Sequence, residues 1–366
     1  MPFDATDIGL SIVKIAIVLF MMLNITPIMV WVERRGSALI QDRPGPNRVG
    51  PFGLFQSFAD ALKFILKEDI VPARAHKWLY TLAPAFGLLP ALTTIAVVPW
   101  GRSFKLPEKV WFGQRFFEGR PLFEPVVADV SAGILVVFAL ASLAVYGITI
   151  AGWSSNNKYS LFGAIRASAQ MISYELSLTL AAVSVLLVAG SLRLTDVVWH
   201  QTGYFVLFDT VKIPAWNVFS PAMWISFIVF GVSAFAETNR LPFDFAEAEA
   251  ELVAGYHTEY SSMKFALFFM AEYMAMGTMS ALIATLYLGG WDIPWYNEPA
   301  TWQGFVLSAL FFLIKVVFLL FVFVWVRWTI PRLKYDILMK IGWKVFLPLA
   351  VLNTLVVAAF IAAGWI

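Results

Sequence analysis

The stretch 130–152 reads VSAGILVVFALASLAVYGITIAG and contains no charged side chain. At a rise of about 1.5 Å per residue, a helix of this length crosses a hydrocarbon core of roughly 30 Å. Similar stretches recur along the whole chain of 366 residues, which is 60% hydrophobic and 14% charged. Ordinary soluble domains are about 25% charged. The composition therefore predicts a polytopic membrane protein.

Eight stretches are long and apolar enough to be transmembrane helices. We predict an all-α fold, a bundle of eight transmembrane helices in a single membrane domain, 1–366. Several helices should be tilted or kinked, because Pro84 and Pro90 fall within the second. The predicted helices are 8–32, 78–100, 126–152, 168–190, 216–237, 264–289, 304–327 and 344–366. The predicted cytoplasmic loops are 33–77, 153–167, 238–263 and 328–343.

The distribution of Lys and Arg predicts which side each loop faces. The odd-numbered loops, with their helix borders, carry 17 of these residues, and the opposite loops carry 7. Because cytoplasmic loops retain positive charge, the odd-numbered loops should be cytoplasmic and both termini should lie outside. Asp4 and Asp7 precede the first apolar segment where a signal peptide would be basic, so we expect this segment to remain in the mature protein.

The composition argues against several kinds of cofactor. The chain has no Cys, which removes thiolate metal sites and Cys-ligated iron–sulfur clusters. His76, His200 and His257 are too far apart for a short metal-binding motif, and the sequence has no glycine-rich phosphate loop. The net charge of +2 gives no reason to expect nucleic acid as a partner. We expect this chain to bind no metal, haem or nucleotide.

The long first loop combines a rigid turn with an amphipathic helix. The segment 43–53 holds three Pro and three Gly, which together favour a turn of defined shape. After it, apolar side chains at helical spacing predict a helix that lies on the membrane or under a partner. Asp60 could simply pair with Lys63 one turn later, and Glu33, Arg34 and Arg35 could be an interfacial charge cluster.

Several ionisable side chains fall within or at the ends of predicted transmembrane helices. These are Glu175, Glu237 and Glu272, with Lys315 as a candidate counter-charge. An ionised group in the bilayer is costly, so such residues usually face a wet cavity or a partner. One interpretation is that they fix helix packing by hydrogen bonds. The other is a hydrated path for protons.

The fifth loop has the strongest charge pattern in the sequence. Asp244 and Glu247 resemble a helix capping box, which explains these two residues locally. That explanation does not require Glu251 or Glu259. On a helix, Asp244, Glu247 and Glu251 share one face, and carboxylates so close cannot all ionise when poorly hydrated. Coupled titration of this kind is what a proton relay requires.

The motifs resemble those of the H-type membrane subunits of bacterial NADH:quinone oxidoreductase, which is respiratory complex I. GPNRVGPFGLFQ at 45–56, GWSSNNKY at 152–159, AETNRLPFD at 236–244 and GYHTEY at 255–260 carry the resemblance. It continues through 33–35, 59–60, 67–68, 166–175, 272–273, 327–336 and 343–348, in order, and covers nearly the whole chain. The resemblance and the lack of an evident transit segment favour a bacterial inner membrane.

The resemblance implies a membrane subunit that forms the quinone entrance and part of the quinone chamber. Soluble-arm subunits, one with the terminal iron–sulfur cluster, would complete the chamber, and small and antiporter-like membrane subunits would lie beside it. Ubiquinone or menaquinone would be the substrate, and this chain would hold no redox centre. The implied chamber residues are Arg34, Arg35, Arg43, Arg48, Asp60, Arg240, Phe243 and Asp244. The implied proton path is Glu175, Glu237, Glu247, Glu249, Glu251, Glu259 and Glu272, to which Lys315 is added from its position. Arg327, Arg332 and Lys334 would form a docking or lipid-contact surface.

Three other functions remain open at this stage. Energy-converting hydrogenases have a homologous membrane subunit, which a nickel–iron partner would reveal. A stand-alone proton-coupled transporter would also use acids inside the membrane, although we find no inverted repeat. A purely structural anchor would tolerate replacement of its buried acids.

Overall fold

The computed structural model describes residues 5–105, 109–111, 114–116, 123–207, 211–245, 253–296 and 299–365. Helices dominate these segments. They are α1 (Ala5–Ile40), α2 (Gln56–Leu66), α3 (Lys77–Thr94), α4 (Gly133–Ser154), α5 (Lys158–Ala189), α6 (Leu194–His200), α7 (Trp224–Glu237), α8 (Ser262–Tyr287), α9 (Trp302–Thr329), α10 (Tyr335–Ile341) and α11 (Leu347–Ala362). Short 3₁₀ turns lie at Pro51–Gly53, Ile95–Val97, Asn217–Phe219, Pro221–Met223 and Gly255–His257, and a π-helical turn, Gly342–Phe346, joins α10 to α11.

Within the described segments, seven helical stretches are long and apolar enough to cross a membrane, and Pro221–Glu237 is a shorter apolar one. The prediction of an all-α polytopic membrane protein is thus confirmed. The helix bounds differ from the predicted transmembrane bounds, since α1 continues to Ile40 and α5 begins at Lys158. Asn157 caps α5 by accepting a hydrogen bond from the Tyr159 amide at 2.9 Å. Hydropathy marks only the part of a helix that lipid surrounds, so helical turns outside it escape detection.

Two short antiparallel hairpins lie in loops predicted to face outside. Lys109–Trp111 pairs with Gln114–Phe116, and Tyr204–Leu207 pairs with Val211–Pro214. The sequence patterns did not predict these strands. Each pair is too short to be stable alone, so its place depends on the helices that it joins.

Close helix packing brings the inner loops together over the bundle. Gly147 of α4 lies so near α3 that a Cβ would meet the Gly87 nitrogen at 2.7 Å. At the inner end, Ser262 Oγ donates to the Phe64 carbonyl at 2.9 Å, and Lys264 pairs with Asp69 at 2.9 Å. The end of α2 is therefore fastened to the start of α8, because small residues and interhelical hydrogen bonds hold membrane helices together.

Replacing Gly163 by Ala should destabilise this inner end. Its Cβ would meet the backbone of Gly255 at 2.7 Å and the Tyr256 nitrogen at 2.8 Å, so α5 and the 255–257 turn must separate. We expect a loss of about 1 to 3 kcal/mol, typical of overpacking, seen as a lower thermal midpoint of the purified complex. Gly231→Ala is the control, since its Cβ would have nothing within 4 Å. Equal midpoints for the two variants would contradict the close approach.

Candidate functional site

The turn that follows α7 is held in place by one buried amide. Gln170 of α5 is fully buried, and its Nε2 lies 2.8 Å from the Ala236 carbonyl and 2.7 Å from the Phe243 carbonyl. The Phe243 ring also packs against Tyr174, with ring centroids 5.5 Å apart. These contacts fix the segment 236–243 on α5, so the side chains of Arg240 and Asp244 start from a rigid backbone.

Asp244 is bound by an arginine from the seventh loop. Arg332 Nη2 donates to the Asp244 carbonyl at 2.6 Å and to Oδ2 at 3.1 Å, and the Leu333 amide donates to the Pro242 carbonyl at 3.4 Å. The resemblance implied that Arg332 belongs to a docking or lipid-contact surface. In the structure Arg332 instead joins the start of α10 to the turn after α7.

A buried carboxylate, Glu33, gathers three other elements at the inner end of α1. Tyr273 donates its hydroxyl to Glu33 Oε2 at 2.6 Å, Arg240 Nη1 lies 3.5 Å from the same oxygen, and Arg327 pairs with Oε1. The Arg240 guanidinium also stacks on the Tyr273 ring, 4.2 Å from its centroid. Glu33 is 6% exposed. A buried carboxylate is tolerated when charge partners and hydrogen bonds surround it, as they do here.

The first loop forms a second polar group. Arg34 Nη1 pairs with Asp60 Oδ2 at 2.5 Å, and Gln56 Nε2 donates to Asp60 Oδ1 at 3.3 Å. This pair across 26 residues replaces the local Asp60–Lys63 pair that the spacing suggested. Arg34 and Asp60 therefore join α1 to α2 at a partly exposed surface, where such a pair contributes little to stability but sets geometry.

Arg35 organises the rigid turn between α1 and α2. Its Nη1 donates to the carbonyls of Pro46 and Phe52, both at 3.1 Å. Gly53 has φ +73°, and a Cβ there would meet the Pro46 carbonyl oxygen at 2.3 Å, so this position requires glycine. Arg43 and Arg48 are exposed on the same turn. The five predicted chamber residues of the first loop thus lie on one continuous surface feature, the 34–60 segment.

Two of the predicted proton-path acids share one cavity. The cavity has a volume of about 670 Å³, is partly open, and lies between α3, α4, α5, α8 and the residues after α7. Glu237 and Glu272 line it together with Tyr256, amid mostly apolar side chains. Among the described residues, Glu237 Oε2 has no hydrogen-bond partner, although it is buried. Tyr256 donates its hydroxyl to Glu272 Oε1 at 3.2 Å. A buried acceptor that faces a cavity in this way favours water as its partner.

The structure distributes the other predicted path residues around the bundle. Glu175 accepts a hydrogen bond from Ser142, and Glu259 Oε1 accepts one from Asn157 Nδ2 at 2.5 Å. Lys315 donates to the carbonyls of three residues at the other end of α8 and lies 4.0 Å from the centre of the Trp216 ring. Glu247, Glu249 and Glu251 lie outside the described residues.

One titratable residue of the site, His257, was not a candidate from the sequence. It is 3% exposed beside Glu272, and its Nε2 lies 4.0 Å from Glu272 Oε1. Burial lowers the pKa of His257 to about 4, and the bond between its ring and the Ala254 carbonyl only partly opposes this effect. The imidazole is therefore neutral at pH 7.

Glu33, Gln170 and Tyr273 were also missed as site residues. The Glu33 motif was noticed and interpreted as an interfacial cluster, because its distant partners leave no trace in local spacing. Gln170 and Tyr273 lie within matching motifs, but nothing in the sequence shows what they contact.

These features define a polytopic membrane protein whose bundle encloses ionisable groups connected to a polar inner surface. The family model for NADH dehydrogenase matches residues 13–358. The second of the NADH-quinone oxidoreductase H subunits of Koribacter versatilis is 45% identical over 359 residues, which is 96% of this chain and 97% of the relative. The first of those from Geobacter metallireducens is 46% identical over 99% of this chain and 98% of its own length. The corresponding H subunit from Salinibacter ruber is 47% identical over 92% of each. The chain belongs to the NADH dehydrogenase family of membrane subunits, together with these three relatives.

Proposed function

We propose that this chain forms the quinone entrance and part of the quinone chamber of NADH-quinone oxidoreductase, and links quinone reduction to proton translocation through buried glutamates. The observation that carries the proposal is the adjacency of two features. The cavity lined by Glu237 and Glu272 lies directly behind the turn that holds Arg240 and Asp244. A charge change at that turn would therefore act on Glu237 through only three residues of backbone.

The proposed topology has eight transmembrane helices. Pro221–Glu237 would be the eighth, because its 17 residues span about 25 Å, close to the bilayer core. With eight crossings both termini are periplasmic, and the loops that carry 17 of the Lys and Arg residues face the cytoplasm of a bacterial cell. The single domain is embedded in the inner membrane.

The proposed chamber wall combines the first loop with the turn after α7. Arg34, Asp60 and Arg240 supply polar groups for a quinone head, while exposed apolar residues of α2 such as Phe58 and Leu62 suit an isoprenoid tail or the membrane interface. Soluble-arm subunits cover this surface, and one of them delivers electrons from its iron–sulfur cluster. Ubiquinone or menaquinone is the substrate. Small and antiporter-like membrane subunits continue the proton path.

Proton coupling would then begin with charge. Quinone reduction consumes protons and changes the charge in the chamber, where Arg240 is held by Glu33 and Asp244 by Arg332. A changed balance in these pairs moves or repolarises the turn, and the protonation of Glu237 and Glu272 responds. Glu175, Glu259 and Lys315, with Glu247, Glu249 and Glu251, would carry the response further.

The double variant Glu237→Gln/Glu272→Gln tests this function. We expect quinone reduction and proton pumping to fall together by about 10-fold or more, because loss of a proton-transfer group commonly costs about 10²–10⁴ in rate. The measurement uses the tagged, purified complex in vesicles, with inhibitor-sensitive NADH:quinone reduction and acidification recorded together. Glu68→Gln, an exposed carboxylate, is the control. Full rate with an unchanged ratio of protons to electrons would sink the proposed path for both acids.

Companion subunits identified in the same preparation check the alternatives. Flavin and iron–sulfur subunits support the proposal. A nickel–iron hydrogenase would move the chain to the hydrogenase group, and a lone homogeneous protein would favour a transporter.

A further inference from the structure

His257 sits in an aromatic pocket beside the cavity, in the turn Gly255–His257. Its ring centroid lies 3.8 Å from that of Tyr256 and 5.6 Å from that of Phe265. The pocket offers little polar contact, so each polar contact that the imidazole does make defines its chemical state.

The backbone determines which ring nitrogen carries the hydrogen. His257 Nδ1 lies 3.2 Å from the Ala254 carbonyl oxygen, which can only accept a hydrogen bond. In the neutral ring Nδ1 must then be the donor, and Nε2 presents a lone pair. Among the described residues Nε2 has no hydrogen-bond partner and is fully buried. The ring is thus a neutral base with an unused acceptor.

That acceptor faces an acid. Nε2 is 4.0 Å from Glu272 Oε1, so a movement of about 1 Å gives a normal hydrogen bond. Glu272 is 12% exposed at its side chain and lines the cavity with Glu237. A carboxylate in this setting is costly to leave uncompensated, and an imidazolium at this distance would compensate it.

We propose that His257 is the base that accepts the proton of Glu272, so that the two residues store a proton on the wall of the cavity. In the transfer, the O–H bond of Glu272 breaks and an Nε2–H bond forms. The neutral acid and neutral ring become carboxylate and imidazolium, and the charge of the pair stays zero. Because Nδ1–H remains on the Ala254 carbonyl, the proton returns through Nε2. The pair is a store beside the path and not a link in it.

A packing role alone would not require this arrangement. Packing is satisfied by the aromatic contacts and by the bond to Ala254, and neither needs a bare nitrogen directed at a carboxyl group. The inference rests on the proposed function, because it assigns a role on the same proton path.

His257→Asn removes the base and keeps the local fold. The Asn amide can still donate to the Ala254 carbonyl, since its nitrogen replaces Nδ1, but it cannot reach Glu272 as Nε2 does. His200→Asn, an exposed histidine at the end of α6, is the matched control. A second variant, Glu272→Asp, keeps the acid and withdraws it by one methylene, so it breaks the same contact from the other side.

Infrared difference spectroscopy of the purified complex, poised oxidised and reduced, reads the pair directly. The carboxyl band that disappears in Glu272→Gln should shift to higher frequency in His257→Asn and stay in place in His200→Asn. In vesicles, His257→Asn and Glu272→Asp should both pump fewer protons per electron than the wild type and His200→Asn.

A carboxyl band and a pumping ratio that do not change in His257→Asn would overturn the inference. If this variant does not assemble, Glu272→Asp decides, and an unchanged ratio there overturns it equally. Failure of the proposed function looks different, because the wild-type complex would then show no inhibitor-sensitive NADH:quinone reduction at all.

Discussion

Replacing Glu33 by Gln should lower the free energy of unfolding by about 3 to 5 kcal/mol, the usual cost of breaking a buried ion pair from one side. Arg240 and Arg327 both lose their carboxylate, and neither can easily reach water from the bundle interior. Arg240 should also shift from the proposed chamber wall. We therefore expect weaker quinone binding, seen as a higher KM, together with lower stability.

The thermal midpoint of the purified complex measures the first effect, and it should fall on the order of 5 to 10 °C. Glu68→Gln changes the same side chain at an exposed site and should leave the midpoint within about 1 °C, as surface substitutions usually do. Arg327→Gln added to Glu33→Gln should recover part of the loss, because it removes one uncompensated charge. A Glu33→Gln complex with a wild-type midpoint and KM would show that the network is not needed.

Replacing Lys315 by Met should destabilise the opposite end of the bundle by about 3 kcal/mol or more. Its Nζ donates to the carbonyls of Leu288, Gly290 and Asp292 at 2.6, 2.9 and 2.8 Å, and each buried carbonyl that loses a donor costs about 1 to 3 kcal/mol. Met keeps the length and apolar stem of Lys and removes only the charge and the donors. The contact between the ammonium and the Trp216 ring is lost as well.

Hydrogen exchange of residues 288–292 measures this effect locally, and exchange there should accelerate strongly in Lys315→Met. Lys340→Met, at an exposed site of α10, is the control and should leave it unchanged. The ratio of protons to electrons in the same variant tests whether Lys315 also belongs to the proton path. Unchanged exchange would contradict an anchoring role for its three hydrogen bonds.

The sequence by itself determined the solvent of this protein. Long uncharged runs, such as 130–152, can satisfy their backbone groups in lipid only as helices, so composition and length define the fold class without any knowledge of contacts. The motifs likewise indicated the family, which the comparisons confirmed. Glu237 and Glu272 stood out because an acid within an apolar run is costly and therefore conspicuous.

Only the tertiary structure decided which of these groups meet. Asp60 pairs with Arg34, which is 26 residues away, and Glu33 meets Arg240 and Arg327 across more than 200 residues, so no local spacing could reveal either partner. His257 looked like an ordinary loop residue until the fold buried it with its bare nitrogen toward Glu272. Hydrophobic periodicity acts between neighbours on one helix, whereas hydrogen bonds and ion pairs depend on angstrom distances between elements that are far apart in the chain.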